Sequence, residues 1–337
     1  MLDLAGTEWP DLPNAEVVNA SIYAARGRVN GYPDRLATRL RRRLAGRHGV
    51  EPEQIAVGNG AAELLQTAAH VLLEPSDELV TPWPPYPLYP LMAQRAGGRP
   101  VAVELSTGGV DPEAVLAAMT DRTRVVTICN PNDPTGTYLE ASRLAELLAA
   151  LPERVHVLLD EAWRSSRTSR TATPGSRSSR PSHGCSCFGP SRRSTACPGC
   201  GRATWSAHRR PAACSMPWRR RSGSTRSARP RPSRRSRSAT VRSTGARARR
   251  ALVLDGRTRL LNALASMPVD APPSQANFVW LRAARLSGAE LAARLEEAKV
   301  RVAPGGPLGD DDHVRAAIRG GAATGRLLAA LAEAIET

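Results

Sequence analysis

Between Arg164 and Arg250 the chain has no Asp, Glu, Leu, Ile, Lys, Asn, Gln or Tyr, and this stretch splits it into two foldable parts. Arg, Ser, Pro, Ala, Thr, Gly and Cys make up nearly all of it, with neither a helical nor a strand-like apolar period. Such a segment cannot bury enough apolar surface to offset the entropy of ordering it, so disorder is expected over 164–250. The core must then come from the leucine-rich flanks, residues 31–163 and 251–337, with residues 1–30 as an N-terminal arm.

The same stretch accounts for the charge. A formal net charge of +16 would ordinarily point to a nucleic-acid partner. Roughly two dozen arginines lie within 164–250, and without them the chain is acidic by about seven charges, as a cytosolic enzyme commonly is. Basicity belongs to one segment, and nucleic acid is not the expected partner. At 337 residues there is room for two domains. No apolar run reaches the roughly eighteen residues of a membrane span. Met1-Leu2-Asp3-Leu4 carries acid where a secretory signal carries base, so a cytoplasmic protein is expected.

Two explanations compete for the basic segment. One is an Arg/Ser-rich arm that binds RNA. The other is a GC-rich gene read out of frame, in which each true codon joins the last base of one codon to the first two of the next. Around Ala196 to His208 this decoding permits a string containing Gly-Leu-Arg-Ala-Gly-Tyr-Leu-Val-Gly-Pro, and Phe188 to Ser194 permits Arg-Ser-Phe-Thr-Lys. Trp205 has a single codon and, with the commoner codons of Ser206, forces the valine. The composition favours the frame shift. Cys197-Pro-Gly-Cys200 has zinc-knuckle spacing, and His183 and His208 stand nearby, with Cys185, Cys187 and Cys214 completing the local set. Out-of-frame GC-rich sequence generates cysteine freely and no second pair is present, so no metal site is expected.

The flanks alternate strand and helix. Tyr32-Pro33-Asp34 is expected to open a helix with Leu36, Leu40 and Leu44 on one face and Asp34 as its cap. Strands are expected at 55–57, 79–80, 101–105, 124–129 and 155–159, with helices at 61–73, from 111, and at 142–150. This predicts a mostly parallel sheet between helices, with ligands gathered at the carboxyl ends of its strands. After Arg250 a helix at 251–265, strands at 277–281 and 300–302, an amphipathic helix bearing Leu291 and Leu295, the segment 313–318 and a closing helix from Arg326 form a smaller α+β domain.

Four motifs sit where strands end. Gly58-Asn59-Gly60-Ala61-Ala62-Glu63 joins a strand to a helix and lets backbone N–H groups approach an anion, although a tight turn alone also wants glycine. Trp83-Pro84-Pro85-Tyr86-Pro87-Leu88-Tyr89 puts aromatics in a proline-stiffened loop, where Tyr86 serves either core packing or stacking on a heteroaromatic ring. Asn130-Pro131-Asn132-Asp133-Pro134-Thr135-Gly136-Thr137 is more specific, because packing gives no reason to keep two amides and an acid together. Leu159-Asp160-Glu161-Ala162 puts a carboxylate at another strand end, and a buried acid needs a cation such as a protonated pyridine nitrogen.

In this order and spacing the motifs resemble those of the fold-type I, pyridoxal-phosphate-dependent class I/II aminotransferases, most of all the histidinol-phosphate aminotransferases, over roughly 30–163 and 250–337. The resemblance implies an enzyme that transfers an amino group between an amino acid or amino-phosphate and a 2-oxo acid. The N–H groups of Ala61 and Ala62 would hold the cofactor phosphate. Tyr86 would stack on the ring and Asp160 would pair with its nitrogen. Asp133 stands where an asparagine usually bonds the ring hydroxyl, a contact that needs a protonated acid here or the help of Asn132. Trp163 replaces a usual tyrosine. Tyr32 would reach a neighbouring subunit's phosphate, implying a homodimer, and Arg315 would fork onto the substrate carboxylate, unless it is a solvated strand arginine.

Such enzymes hold the cofactor on a Schiff-base lysine that also moves the proton. The one lysine of this chain, Lys299, lies at the end of a small-domain helix, where a surface role is expected. In the shifted frame the catalytic lysine spans Arg192 and Arg193, and a phosphate-binding arginine spans Cys200 and Gly201. The chain as translated is therefore expected to be inactive and prone to misfolding. A basic nucleic-acid-binding protein on an enzyme-like scaffold and a threonine-phosphate decarboxylase of the same fold are the alternatives.

Overall fold

The computed structural model describes residues 1–10, 15–27, 29–168 and 247–336, and the backbone alone at 185–188, 204–205 and 238–246. In chain order the large lobe contains β2 (Ala56–Val57), α3 (Ala61–Leu72), β3 (Glu78–Trp83), α4 (Leu88–Arg95), β4 (Arg99–Glu104), α5 (Pro112–Ala117), β5 (Thr123–Cys129), α6 (Ala141–Ala150), β6 (His156–Asp160), β7 (Cys185–Phe188) and β8 (Thr204–Trp205). Ahead of them come β1 (Leu2–Asp3), α1 (Ala15–Ala25) and α2 (Thr38–His48). The small lobe follows with α7 (Ser238–Leu264), β9 (Val269–Asp270), β10 (Phe278–Ala283), α8 (Gly288–Glu297), β11 (Val300–Arg301), β12 (Ala303–Pro304), β13 (Val314–Ala317) and α9 (Gly321–Glu336).

The main sheet has the order β4-β3-β5-β6-β7, parallel throughout except for β7, which runs antiparallel to β6. Successive residues of a strand face opposite sides, and both sides here are apolar. Leu79, Val125 and Leu158 pack with Leu65 of α3 and Met92 of α4, while Val80, Val126, Val157 and Leu159 pack with Val115 of α5 and Leu144 and Leu147 of α6. This is the helix-covered, mostly parallel sheet of fold type I. Chain progression reverses between β3 and β5, so the carboxyl ends of β3, β5 and β6 open onto a topological switch point.

A second, antiparallel sheet, β12-β13-β10-β9, packs on α8, α9 and the latter part of α7. The amino terminus adds to the same core: β1 pairs in parallel with β11 in a separate two-stranded sheet, and Leu4 is buried there. Local chemistry accounts for the helix starts. Asp111 accepts from the N–H groups of Glu113 (3.0 Å) and Ala114 (3.4 Å) at the start of α5, and Ser287 with Glu290 forms a reciprocal capping box on α8.

Several local expectations are corrected. The helix expected from Asp34 begins at Thr38, and Leu36 lies outside it and is exposed. Asp34 instead accepts from the N–H groups of Leu36 (3.1 Å) and Thr38 (2.7 Å), and Ala37 takes a left-handed conformation, so the chain makes a polar turn before the helix. Helix α7 begins at Ser238, ahead of the expected residue 251. Helix α4 begins inside the loop expected at 83–89, at Leu88; its Pro90 falls in the first turn, where no intrahelical N–H is needed.

Candidate active site

Asp160, the last residue of β6, is 5 % exposed. Its Oδ2 accepts from the Tyr89 hydroxyl at 3.1 Å and its Oδ1 from the Ala162 N–H at 2.9 Å. Burial pushes this carboxyl up to about 6, against the lowering effect of those two bonds. No basic side chain pairs with it among the described hydrogen bonds and ion pairs, so a cationic ring nitrogen would be a suitable partner.

The turn after β5 is built to hold its shape. The Asn130 side chain donates to the Leu139 carbonyl and accepts from the Leu139 N–H, each at 2.8 Å, while its backbone N–H donates to the Asp160 carbonyl. Asn132 spends its side-chain N–H groups on the Pro84 carbonyl (3.3 Å) and the Thr135 hydroxyl (3.1 Å), tying this turn to the loop after β3. Gly136 has φ +75°, and a Cβ there would lie 2.2 Å from Ser274 Oγ, so both the turn and the approach of the small lobe require glycine.

Asp133 points away from that scaffold. It is buried, and its Oδ1 receives Arg315 NH1 at 2.6 Å across 182 residues of sequence. Burial raises its pKa above the usual carboxylate value, opposed by Arg315 and by a hydrogen bond with the Trp163 side chain. Arg315 lies on β13 opposite Trp280 of β10, and its guanidinium carbon sits 5.4 Å from the centre of the Phe278 ring. Trp163 meets the same ring edge-on at 5.2 Å. Tyr86 is half-buried, edge-on to Tyr89 at 5.6 Å, and its hydroxyl pKa is raised by burial and by the charges of Asp133 and Asp160.

Residues Tyr86, Asp133, Asp160, Trp163 and Arg315 thus come together at the ends of β3, β5 and β6. Ala61 packs on the same apolar cluster as Tyr86 and Trp163, in the first turn of α3 beside Ala62. Gly60 precedes them at φ +87°, and among the described residues no side chain caps this helix. Glu63 accepts from the Asn59 N–H in the same turn. Tyr32 is fully exposed between α1 and α2 and touches none of the other candidates. Lys299 is exposed just past α8 with φ +63°, and its carbonyl accepts from the Leu2 N–H at 2.8 Å, which places it in the small-lobe core margin. His183, Cys197, Cys200, Cys214 and His208 lie outside the described residues, as do Arg192, Arg193 and Gly201; for Cys185 and Cys187 only the backbone is described.

Two participants escaped the sequence reading. Tyr89 holds Asp160, and its signal was present: it follows Tyr86 by three residues, the spacing of one helical turn. Phe278 supports both Trp163 and Arg315. Nothing local marks it, because an apolar strand residue reads only as core.

Residues 1–166 match the family described as Aminotransferase class I and II. That stretch, just under half of the chain, is similar to curated aminotransferases. It is 44% identical over 161 residues to an aromatic amino acid aminotransferase of Thermobifida fusca, covering 48% of this chain and 45% of that one. It is 43% identical over 155 residues to a histidinol-phosphate aminotransferase of Rubrobacter xylanophilus, covering 45% and 43%. The chain thus spans about half the length of the curated relatives it matches. The similarity of fold extends further. A histidinol-phosphate aminotransferase from Sinorhizobium meliloti in complex with pyridoxal-5'-phosphate aligns with a TM-score of 0.72 over 99% of this chain and 90% of that one, at 20% identity. A Thermus thermophilus aspartate aminotransferase variant aligns with a TM-score of 0.71 over 99% and 96%, at 21% identity. Residues 1–166 hold every candidate residue except Arg315, which the small lobe supplies.

Proposed function

We propose that this chain derives from a pyridoxal-phosphate-dependent aminotransferase, of the histidinol-phosphate aminotransferase type, acting between an amino acid or amino-phosphate and a 2-oxo acid. The observation that carries the reading is Asp160: a buried carboxylate at a switch point, held by Tyr89 and the Ala162 N–H, with no basic side-chain partner among the described residues. It fits a protonated pyridine nitrogen. The uncapped amino end of α3 fits the phosphate through the N–H groups of Ala61 and Ala62. Tyr86 lines the ring face, and Asp133, when protonated, would bond the ring hydroxyl. Asn132 is the poorer partner, since its amide N–H groups are used within the scaffold. Arg315 is the cation that faces the substrate, with Trp163 beside Asp133. Bound there, the cofactor supplies an electron sink for the substrate Cα.

As translated, this chain lacks the group that would hold the cofactor covalently and carry the proton. Its one lysine is exposed on the small lobe. We read 164–250 as out-of-frame sequence, supported by its composition, by the decoded lysine motif and by a family match that ends at residue 166. Exposed Tyr32, and Val17, Val18, Ile22 and Tyr23 exposed on α1, support a homodimer. Among the described residues no helix is long and apolar enough to cross a membrane. Resequencing the gene from the codon of Asp160 to that of Arg250 tests the frame shift. A base gained or lost at each end restores the lysine. An unchanged sequence leaves a dead enzyme, and borohydride reduction with pyridoxal phosphate should then leave no cofactor on a site lysine by peptide mapping. Covalent cofactor together with transamination by the chain as translated overturns the claim of inactivity.

A further inference from the structure

Within residues 1–166, Asp133 and Trp163 are positions at which the site departs from the pattern it resembles, and the structure brings them together. The Trp163 side chain lies close enough to the Asp133 carboxylate to lower its pKa, and that carboxylate holds Arg315 at 2.6 Å. The Arg315 side chain is 13% exposed, and its Nε is buried with no hydrogen-bond partner among the described residues. One arm of the guanidinium is therefore spent on an internal acid, while another donor remains unused.

We propose that Asp133 is a specificity-determining residue that acts as an internal carboxylate on Arg315, so that a ligand carboxylate is accepted there only when Asp133 is neutralised. The proposal rests on the reading of Arg315 as the substrate-facing cation. Two carboxylates on one buried guanidinium repel each other in a low dielectric, and burial already disfavours the Asp133 charge. The groups facing Asp133 are Arg315 from β13, Trp163 after β6, Tyr86 after β3, Cys129 at the end of β5 and Asp160 at the end of β6. Among these described groups only Arg315 is cationic, and the Asp160 charge adds to the repulsion. The least costly way to admit a ligand carboxylate is to protonate Asp133, with the proton taken from solvent. A site so arranged favours substrates that present an uncharged group to Arg315 over those that present a carboxylate.

The test is calorimetric titration of the full-length chain with 3-phenylpropionate, a carboxylate that has no amine to react and is ionised throughout pH 6–8. In buffers of differing ionisation enthalpy the unaltered chain should take up about one proton per ligand, with affinity rising by about tenfold for each pH unit of acidification. Asp133→Asn should bind at least about tenfold tighter at pH 8, without the pH dependence, and Arg315→Gln should abolish binding to either form. Binding without proton uptake, equal affinity of the unaltered and Asp133→Asn chains at pH 8, or no binding by either overturns the proposal. Proton uptake is read on the unaltered chain, so a variant that fails to fold does not spare the idea. No cofactor is required, so failure of pyridoxal phosphate to bind is a separate result.

Discussion

The two lobes place polar chemistry differently. In the large lobe, β3, β5 and β6 are buried on both faces, so polar side chains of the site appear only where the strands stop, at Asn130, Asp133 and Asp160. In the small lobe the antiparallel β13 alternates: Val314 and Ala316 enter the core, while Arg315 between them points out and across to Asp133. A parallel sheet gathers its chemistry into contiguous turns. An antiparallel sheet offers it one residue at a time, and the partner is chosen by how the lobes dock.

That contrast can be broken first at the docking seam. Arg257 of α7 is buried and donates to the Ser166 carbonyl (3.0 Å), the Ala276 carbonyl (2.9 Å) and the Thr168 hydroxyl (2.8 Å), fixing the end of the large lobe against the small one. Arg257→Met leaves those acceptors unpaired and should cost about 3 kcal/mol in denaturant unfolding. A loss below about 1 kcal/mol would mean that the seam is held elsewhere.

An opposite sign is expected at Asp160. Its folded pKa of about 6 exceeds its ordinary value of 3.8, so the folded state binds the proton more tightly and stability falls as pH rises between the two. Asp160→Asn should therefore stabilise the cofactor-free chain by on the order of 2 kcal/mol at pH 7, with the gain vanishing below about pH 4. The same variant should lose pyridoxal phosphate affinity, measured by fluorescence titration. Destabilisation at pH 7 would show that Asp160 is a structural acid.

The smallest effect belongs to the small lobe alone. Ser287→Ala removes the cap of α8 and should cost about 1 kcal/mol in unfolding while leaving cofactor affinity unchanged. A change in cofactor affinity would mean that α8 strain reaches Arg315 through β13.

Legibility followed the same division. The strands at 124–129 and 155–159 were plain from their apolar runs, and each was found within a residue of its expected limits. Helix α2 was misplaced because Leu36 has the right spacing but precedes the point where Asp34 finishes its turn. Helix α4 was hidden by its prolines and exists because Tyr89, Met92 and Ala93 are buried against the sheet. Glu78 shows the same limit: it is a buried acid in a central strand, explained only once Arg99, Thr120 and Thr123 are seen around it.

By itself the sequence determined the α/β alternation, the motifs at the strand ends and the absence of a lysine near them, since each depends on residues adjacent in the chain. Only the tertiary structure decided that Asp133 and Trp163 meet each other and that both answer to Arg315. Those contacts form across the seam between two lobes, where side chains distant in sequence share one buried space and must satisfy one another's charge.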